Sequence, residues 1–397
     1  MVIKNVTICD ANKEILSDIE IVDGVIKQIE KDIKTDEFID GSGKFLLPML
    51  VDLNVNVLDG SLSAKNIKEL SLVAKAGGVG RVVLNPTTTP PLDNEIALEF
   101  AQNALHDLSG AKVDLAINTL KEDASLSNIA ILLKKGAKAV YMSTIAKNDL
   151  AIRIAQYSQM YGVTLFVKAE DNSLISSGVM LEGDVSSKLG LAGIPDLSEV
   201  LHVSRMIEIA REFKISIVFK SLASPRSIYL IKQAKKDGVD VKCEVSIHHL
   251  LHTDESCKGF NTYAKLNPPL ASQSDRFELL EYLANGDIDM LSTLHQPSSP
   301  LYKEIAFYDA AYGCDGLSDA LSAYYSKFVK TKTISMSRLV ELCVKNPLKT
   351  LGEDGGVIEV GKKIDTLLFE PNHSFVVDDK TSLNYGCELN GKIEAWF

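Results

Sequence analysis

Eight short apolar segments recur through the middle of the chain, and helix-like segments separate them. Most are near-continuous apolar runs, as expected for parallel strands buried on both faces. The intervening segments 149–161 and 225–237 have the clearest helical pattern, and a glycine follows each. This alternation predicts a (β/α)8 barrel. The predicted strands are Leu50–Val57, Gly80–Asn85, Val113–Asn118, Lys138–Met142, Val163–Lys168, Ile215–Lys220, Val241–Ser246 and Ile288–Thr293.

The two ends of the chain have a different pattern. Residues 1–46 contain three alternating segments, Val2–Cys9, Ile15–Val22 and Val25–Glu30, and Asp23-Gly24 is a hairpin signal between the last two. Residues 354–397 are similarly divided by glycines. We therefore predict that residues 1–46 and 354–397 form one composite β-sandwich domain beside a barrel of residues 47–353.

Charge and composition exclude several classes of protein. The formal net charge is −11, from 42 basic and 53 acidic residues, which makes a nucleic-acid partner a poor fit. No apolar run of 18 or more residues is present, so no membrane span is expected, and the N-terminus lacks the pattern of a signal peptide. The expected location is the cytoplasm. The six scattered cysteines then predict reduced thiols: Cys9, Cys243, Cys257, Cys314, Cys343 and Cys387.

A set of short motifs gives the chain a family resemblance over nearly its whole length. It resembles the type I dihydroorotases of the amidohydrolase superfamily, which implies a distorted barrel with a composite β-sandwich domain. The resemblance also implies zinc, bound at the carboxyl-terminal ends of the barrel strands. The motifs are Gly77–Val83, Pro90–Asn94, Glu170–Leu174, Leu189–Pro195, Glu244–Leu251, Lys265–Leu270, Asp287–Asp289 and Gly356–Gly361.

The first two metal ligands implied by the resemblance are a His-x-His pair on the first strand. This chain has Asn54 and Asn56 there. Alternation along a strand places both side chains on the inner face of the barrel. Because an amide is a neutral, weak zinc ligand, two amides would not replace two imidazoles. We interpret both as hydrogen-bonded residues of the barrel interior.

The other implied ligand positions also lack the family's residues. The fourth strand ends in Val140–Ser143, which contains neither the lysine nor the aspartate of the family, and Lys138 is offset from that position. Ser221 occupies the histidine position of strand six, and Leu294 occupies the aspartate position of strand eight. A leucine can neither bind a metal nor transfer a proton. The sequence predicts no metal, no cofactor and no catalytic residue of the family type.

Strand five has Lys168 where the resemblance implies a histidine ligand. A protonated lysine has no lone pair with which to bind a metal. Our hypothesis is that Lys168 fills the vacated metal volume with its own positive charge, beside Glu170 or Asp171.

The substrate-binding positions implied by the resemblance are mostly changed as well. Leu58 replaces the arginine that grips a carboxylate, and an apolar side chain cannot supply that bidentate contact. Thr87 replaces an asparagine and Ser298 a histidine, whereas Asn267 is retained. Asn267 either binds a ligand or holds its own loop. These four residues define the expected vestigial pocket.

New sites built from the remaining residues are poorly supported. The spacing of His248 and His252 could bind a metal on a helix, but the segment follows a strand, and His295 has no evident partner. No motif of a Ser-His-Asp hydrolase surrounds Ser221 or Ser298.

Three functions are compatible with these residues. The first is a non-catalytic dihydroorotase homologue that supports aspartate transcarbamoylase as an assembly subunit, a partner that the resemblance implies. The second is an active dihydroorotase that interconverts carbamoyl aspartate and dihydroorotate. The third is a metal-free enzyme or sensor that binds a small molecule at the barrel mouth. Homodimerisation is a further expectation of the family.

Overall fold

Seventeen strands form the framework of the part of the chain that the structure describes. The computed structural model describes residues 1–143 and 147–397. In chain order the strands are β1 (Val2–Cys9), β2 (Glu14–Val22), β3 (Val25–Glu30), β4 (Ile39–Asp40), β5 (Phe45–Pro48), β6 (Leu50–Val55), β7 (Val79–Leu84), β8 (Lys112–Asn118), β9 (Ala139–Met142), β10 (Leu165–Lys168), β11 (Met180–Leu181), β12 (Gly193–Ile194), β13 (Ile217–Lys220), β14 (Val241–Ser246), β15 (Met290–Ser292), β16 (Thr366–Val376) and β17 (Glu388–Trp396).

Eight parallel strands form the barrel, in the order β6, β7, β8, β9, β10, β13, β14 and β15. A parallel backbone bridge between Val55 and His295 joins the last strand to the first and closes the sheet on itself. The predicted barrel is therefore confirmed, and every observed strand end lies within two residues of its prediction. Buried aliphatic side chains fill the barrel and the layer around it, as parallel strands covered on both faces require.

Helices surround the barrel and connect its strands. Local signals set several of their ends: the Asn94 side chain accepts a hydrogen bond from the Ala97 amide, and Gly162 ends a helix in the left-handed conformation. The helices are α1 (Ala64–Ala76), α2 (Glu95–Asn103), α3 (Ile129–Lys134), α4 (Asn148–Tyr161), α5 (Asn172–Ile175), α6 (Asp184–Leu189), α7 (Leu197–Phe213), α8 (Pro225–Lys236), α9 (Ile247–Leu251), α10 (Gln273–Ala284), α11 (Pro300–Lys303), α12 (Ala320–Tyr324), α13 (Met336–Val340) and α14 (Asn346–Thr350).

Both ends of the chain contribute to a second, seven-stranded sheet. Its order is β17–β16–β5–β1–β2–β3, with β4 beside β1. The predicted N-terminal strands are present, whereas residues 354–397 supply two long strands rather than several short ones. The sheet has its own apolar core, which includes Ile3, Ile19 and Leu368. Strand β5 crosses the predicted boundary between residues 46 and 47, and the domain limits themselves stay a prediction.

Two further features concern the whole chain. Within residues 1–143 and 147–397, none of the helices has the length and apolar character that crossing a bilayer requires. All six cysteines are unpaired, and five of them are buried.

Candidate functional site

Asn54 lies inside the barrel with its amide group fully engaged. Its Nδ2 donates to Ser221 Oγ at 2.5 Å and to Glu244 Oε1 at 2.7 Å, while its Oδ1 accepts from Asn85 Nδ2 at 2.8 Å. These bonds join the ends of β6, β7, β13 and β14. Because both amide hydrogens are used and the oxygen already accepts a hydrogen bond, Asn54 acts as a connector between strands.

Lys220, at the end of β13, is the buried cation of this network. Its Nζ donates to the backbone oxygen of Leu53 at 2.5 Å and to Asn85 Oδ1 at 2.8 Å, and the residue is only 4 % exposed. Burial lowers the pKa of Lys220 to about 8, against the attraction of Glu244 and Asp52. The ammonium therefore provides a positive charge inside the barrel.

Two buried carboxyl groups balance this lysine. Glu244 accepts from Ser292 Oγ at 3.0 Å as well as from Asn54. Asp52 accepts from the Asn54 amide at 2.8 Å, the Thr293 amide at 2.8 Å and the Thr293 hydroxyl at 2.5 Å. Burial raises the pKa of both carboxyl groups, while hydrogen bonds and Lys220 act in the opposite direction. We call Asp52, Asn54, Asn85, Lys220, Ser221, Glu244, Ser292 and Thr293 the interior network.

Asn56 lies two residues beyond Asn54 and bonds to His295, next to the place where the barrel closes. Its backbone amide donates to the His295 oxygen at 2.8 Å, and its side-chain Nδ2 contacts the same oxygen at 3.5 Å. Both asparagines are buried, with Asn54 3 % and Asn56 8 % exposed. Their contacts are those of hydrogen-bonded interior residues.

Lys168 is paired with Glu170, and the hypothesis that its charge fills the metal volume stays a prediction. Its Nζ lies 3.1 Å from Glu170 Oε1, the partner that the hypothesis named, but its side chain is 29 % exposed. Lys168 is the register partner of Lys220 on the neighbouring strand, and the fully buried ammonium of the barrel belongs to Lys220. The sequence analysis missed Lys220, although a lysine at the end of an apolar strand was a signal for it.

Leu294 belongs to an apolar cluster on the loops that follow β10, β14 and β15, at the carboxyl-terminal end of the barrel. The residue is 5 % exposed and has a φ of 49°. A leucine in that left-handed region is strained, and such strain persists only where the surroundings fix the backbone. The cluster, which we call the mouth plug, consists of Val179, Met180, Val185, Cys257, Ala264, Leu266, Leu270, Leu294, Phe307 and Cys314.

Three of the four predicted pocket residues lie on loops that are joined by backbone hydrogen bonds. The loop of Leu58 bonds to both neighbouring loops: the amide of Asp59 donates to Pro297 O at 3.0 Å, and the amide of Thr89 donates to Gly60 O at 2.8 Å. Leu58, Thr87 and Ser298 therefore lie on adjoining loops. Asn267 lies on the loop after β14. Its Oδ1 is buried with no hydrogen-bond partner in the described part of the chain.

The remaining histidines are occupied by internal contacts. His248 Nε2 lies 3.4 Å from Cys314 Sγ, His252 Nε2 lies 3.3 Å from Asn384 Oδ1, and His295 Nδ1 lies 3.2 Å from Asp315 Oδ1. Burial lowers the pKa of His248 to about 3 and that of His252 to about 4, so both are neutral near pH 7.

The donor groups at the family's metal positions do not fit zinc. Zinc sites use thiolates, imidazoles and carboxylates, commonly four ligands in a tetrahedron. Here the positions hold two amides, a hydroxyl, an ammonium and an alkyl group, and the nearby Glu244 and Asp52 are hydrogen-bonded within the interior network. Between residues 1 and 143 and from 147 onward, no three His, Cys, Asp or Glu side chains are grouped so that they could hold a metal.

A cavity of about 730 Å³ lies at the opposite end of the barrel. It is lined by residues at the starts of strands, including Met49, Gly80 and Lys112, together with the C-terminal residues Trp396 and Phe397. Barrel enzymes use the other end, where the strands terminate. This cavity is thus separate from the interior network.

Comparison with known proteins identifies the family. A dihydro-orotase-like family model matches residues 43–220. A protein named dihydroorotase from Acetivibrio thermocellus is 34 % identical, with 99 % of this chain and 96 % of that protein covered. Another of the same name, from a Thermoanaerobacter species, is 33 % identical over 100 % of this chain and 95 % of its own length.

Solved structures confirm the fold. An L-hydantoinase (dihydropyrimidinase) from Arthrobacter aurescens superimposes with a TM-score of 0.88 at 24 % identity, over 99 % of this chain and 93 % of that one. A D-hydantoinase gives 0.86 at 19 % identity, over 100 % and 93 % of the two chains. At such identities the likeness shows the architecture alone. The barrel, the accessory sheet and the whole-chain identity together show that the chain belongs to the dihydroorotase-like family of the amidohydrolase superfamily.

Proposed function

We propose that this chain is a non-catalytic member of its family, a protein of pyrimidine biosynthesis that supports an enzyme partner through its surface. The observation that supports this is the interior network. Asn54 donates to the carboxylate of Glu244, and Lys220 donates to Asn85 and attracts Glu244 through its charge, at the strand ends where the family resemblance implies a metal. Function in a barrel is argued from such a site, because one fold serves many activities.

The mouth plug supports the same proposal. A dihydroorotase must admit a charged, polar substrate to the strand ends, and an apolar cluster around Leu294 opposes that through desolvation. Leu294 also supplies no proton-transfer group. A barrel of this kind is better suited to contacting another protein than to hydrolysing a cyclic amide.

The partner we propose is aspartate transcarbamoylase, the enzyme that the family resemblance implies. The test is sedimentation of the purified protein alone, of the transcarbamoylase of the same cell alone, and of their mixture. We expect the mixture to contain a larger species, and the transcarbamoylase to gain activity or stability in it. Two unchanged sedimentation profiles would reject this partner.

An active dihydroorotase is the second candidate, and the comparisons favour it. The relatives from Acetivibrio thermocellus and Thermoanaerobacter both bear the name dihydroorotase. Each aligns with this chain over nearly its full length. This is evidence from family membership, and the residues at the strand ends oppose it.

Zinc content and turnover separate the two candidates. The protein is purified with and without added zinc, its metal is measured by elemental analysis, and dihydroorotate hydrolysis is assayed. The Acetivibrio thermocellus relative serves as the positive control. We expect less than one-tenth of an equivalent of zinc and no turnover above the blank. Stoichiometric zinc with turnover would establish the second candidate instead.

A small-molecule binder is the third candidate, favoured by one atom. The buried Oδ1 of Asn267 has no hydrogen-bond partner in the described residues, and buried polar groups usually have one. A ligand with a donor group would satisfy it. A melting-temperature screen with pyrimidine metabolites tests this, because ligands that bind only the folded state raise the melting temperature. An Asn267→Ala variant should abolish any such rise.

A further inference from the structure

Five large apolar side chains project into solvent from two loops at the carboxyl-terminal end of the barrel. Between 44 % and 73 % of each residue's surface is exposed. A cluster of exposed aromatic and aliphatic side chains is uncommon on a protein surface and marks an interaction site more often than scattered single residues do. We call these residues the apolar strip: Phe260, Leu301, Tyr302, Ile305 and Tyr308.

Direct hydrogen bonds hold the two loops side by side. Thr262 Oγ1 donates to the backbone oxygen of Lys303 at 2.7 Å, and Lys303 Nζ donates to the backbone oxygen of Thr262 at 2.9 Å. The loop that carries Phe260 therefore runs beside the loop that carries Leu301 and Tyr302.

Two buried lysines hold the second loop in its conformation. Lys303 also donates to Ala311 O at 2.7 Å, and Lys265 donates to Tyr308 O at 2.8 Å and Ala310 O at 2.7 Å. The Tyr308 hydroxyl donates to Ser177 O at 2.6 Å. Because these bonds fix the backbone in advance, little conformational entropy remains to be lost when another surface binds it.

The margin of the apolar strip is acidic. Glu304 and Asp309 are exposed, and neither forms an ion pair with any residue that the structure describes. Lys258, the exposed cation on the first loop, is already paired with Glu255. A second copy of this chain, approaching through the same surface, would bring two acidic margins together. A partner with lysine or arginine around an apolar centre would meet complementary charge.

We propose that the apolar strip is the docking surface for a different protein, one whose contact face is apolar with a basic margin. This rests on the proposed function, in which the surface of the barrel supports a partner enzyme. The strip lies on loops that also carry members of the mouth plug, so the occupant would cover this end of the barrel. Its aromatic and aliphatic side chains are of the kind that dominate binding energy at protein interfaces.

The test compares matched pairs of exposed residues, with the transcarbamoylase of the same cell as the probe. Leu301→Ser/Ile305→Ser removes two members of the strip. Leu16→Ser/Ile96→Ser removes two apolar residues of similar exposure on the accessory sheet and α2. We expect the first variant to raise the Kd at least about tenfold and the second to leave it unchanged. Melting temperatures equal to wild type show that both variants fold.

A charge variant tests the kind of partner. Glu304→Lys/Asp309→Lys should also raise the Kd at least about tenfold, mainly by slowing association. Raising the salt concentration should weaken wild-type binding more than binding of this variant.

Three outcomes would overturn the proposal and can be told apart. If the complex forms and every variant binds like wild type, the strip is not the docking surface and the proposed function stands. If wild type forms no complex, the proposed function fails and the strip proposal with it. If wild type alone associates with itself, and Leu301→Ser/Ile305→Ser abolishes that, the occupant is a second copy.

Discussion

The barrel interior and its mouth bury lysines in two different ways. Inside, Lys220 is balanced by the carboxyl groups of Glu244 and Asp52. At the mouth, Lys303 is 1 % exposed, and its hydrogen bonds are to the carbonyl oxygens of Thr262 and Ala311. In the interior network the positive charge of Lys220 is therefore attracted by carboxyl groups of the same network. Lys303 instead fastens neighbouring loops through their carbonyl oxygens.

The largest predicted effect breaks the interior network. Lys220→Met leaves the carboxyl groups of Glu244 and Asp52 without their cation, and we expect it to lower the free energy of unfolding by about 3–5 kcal/mol at pH 7. Adding Glu244→Gln should restore part of that loss, because the double variant removes charge of both signs. Urea unfolding of wild type, both single variants and the double variant measures the coupling. Additive losses would show that Lys220 and Glu244 do not compensate each other.

A second prediction tests whether the mouth is a packed apolar region. Leu294→Asp places a carboxyl group in the mouth plug and should cost about 2–4 kcal/mol at pH 7. Burial would raise the pKa of the new carboxyl, so the cost should shrink as the pH falls and the group becomes neutral. Leu294→Met is the volume-conserving control, with an expected cost below about 1.5 kcal/mol. If Leu294→Asp is as stable as the control and binds zinc, the mouth is open to the family's chemistry.

A third prediction concerns the loop lysine. Lys303→Met removes the donor to two carbonyl oxygens and should cost about 1–3 kcal/mol at pH 7, less than the loss of Lys220. Burial lowers the pKa of Lys303 from 10.5 to about 8. Between these two values the unfolded state binds more protons than the folded state, so this lysine makes stability rise with pH.

The pH dependence gives that prediction its control. The stability of wild type relative to Lys303→Met should increase from pH 8 to about 10.5, because methionine does not titrate. Tyrosines and cysteines titrate in the same range but are common to both proteins, so the difference isolates Lys303. Denaturant unfolding at a series of pH values measures it. A flat difference would show that Lys303 has the same pKa in the folded and unfolded states, so that burial does not lower it.

How much of this could be predicted depended on the range of each interaction. The barrel strands were predictable because burial on both faces leaves a pattern within each segment, as in Val241–Ser246. The interior position of Asn54 followed from alternation along β6. Its partners Ser221 and Glu244 did not, since those hydrogen bonds span 167 and 190 residues and depend on barrel closure. The buried position of Lys220 was missed for the same reason, because its hydrogen bonds to Leu53 and Asn85 also depend on barrel closure.

The smallest predicted effect separates those two lysines. Lys168 and Lys220 are register partners on adjacent strands, yet the Lys168 side chain is 29 % exposed and its recorded hydrogen bond is to Glu170. Solvent already compensates much of its charge, so Lys168→Met should cost at most about 1 kcal/mol. The substitution matches Lys220→Met in chemistry, which makes the ratio of the two costs a direct measure of burial. Urea unfolding of both variants in low and high salt gives that ratio, and salt should reduce only the Lys168 term. Equal costs would mean that Lys168 lies as deep in the barrel as Lys220, which would support the hypothesis that it replaces the metal's charge.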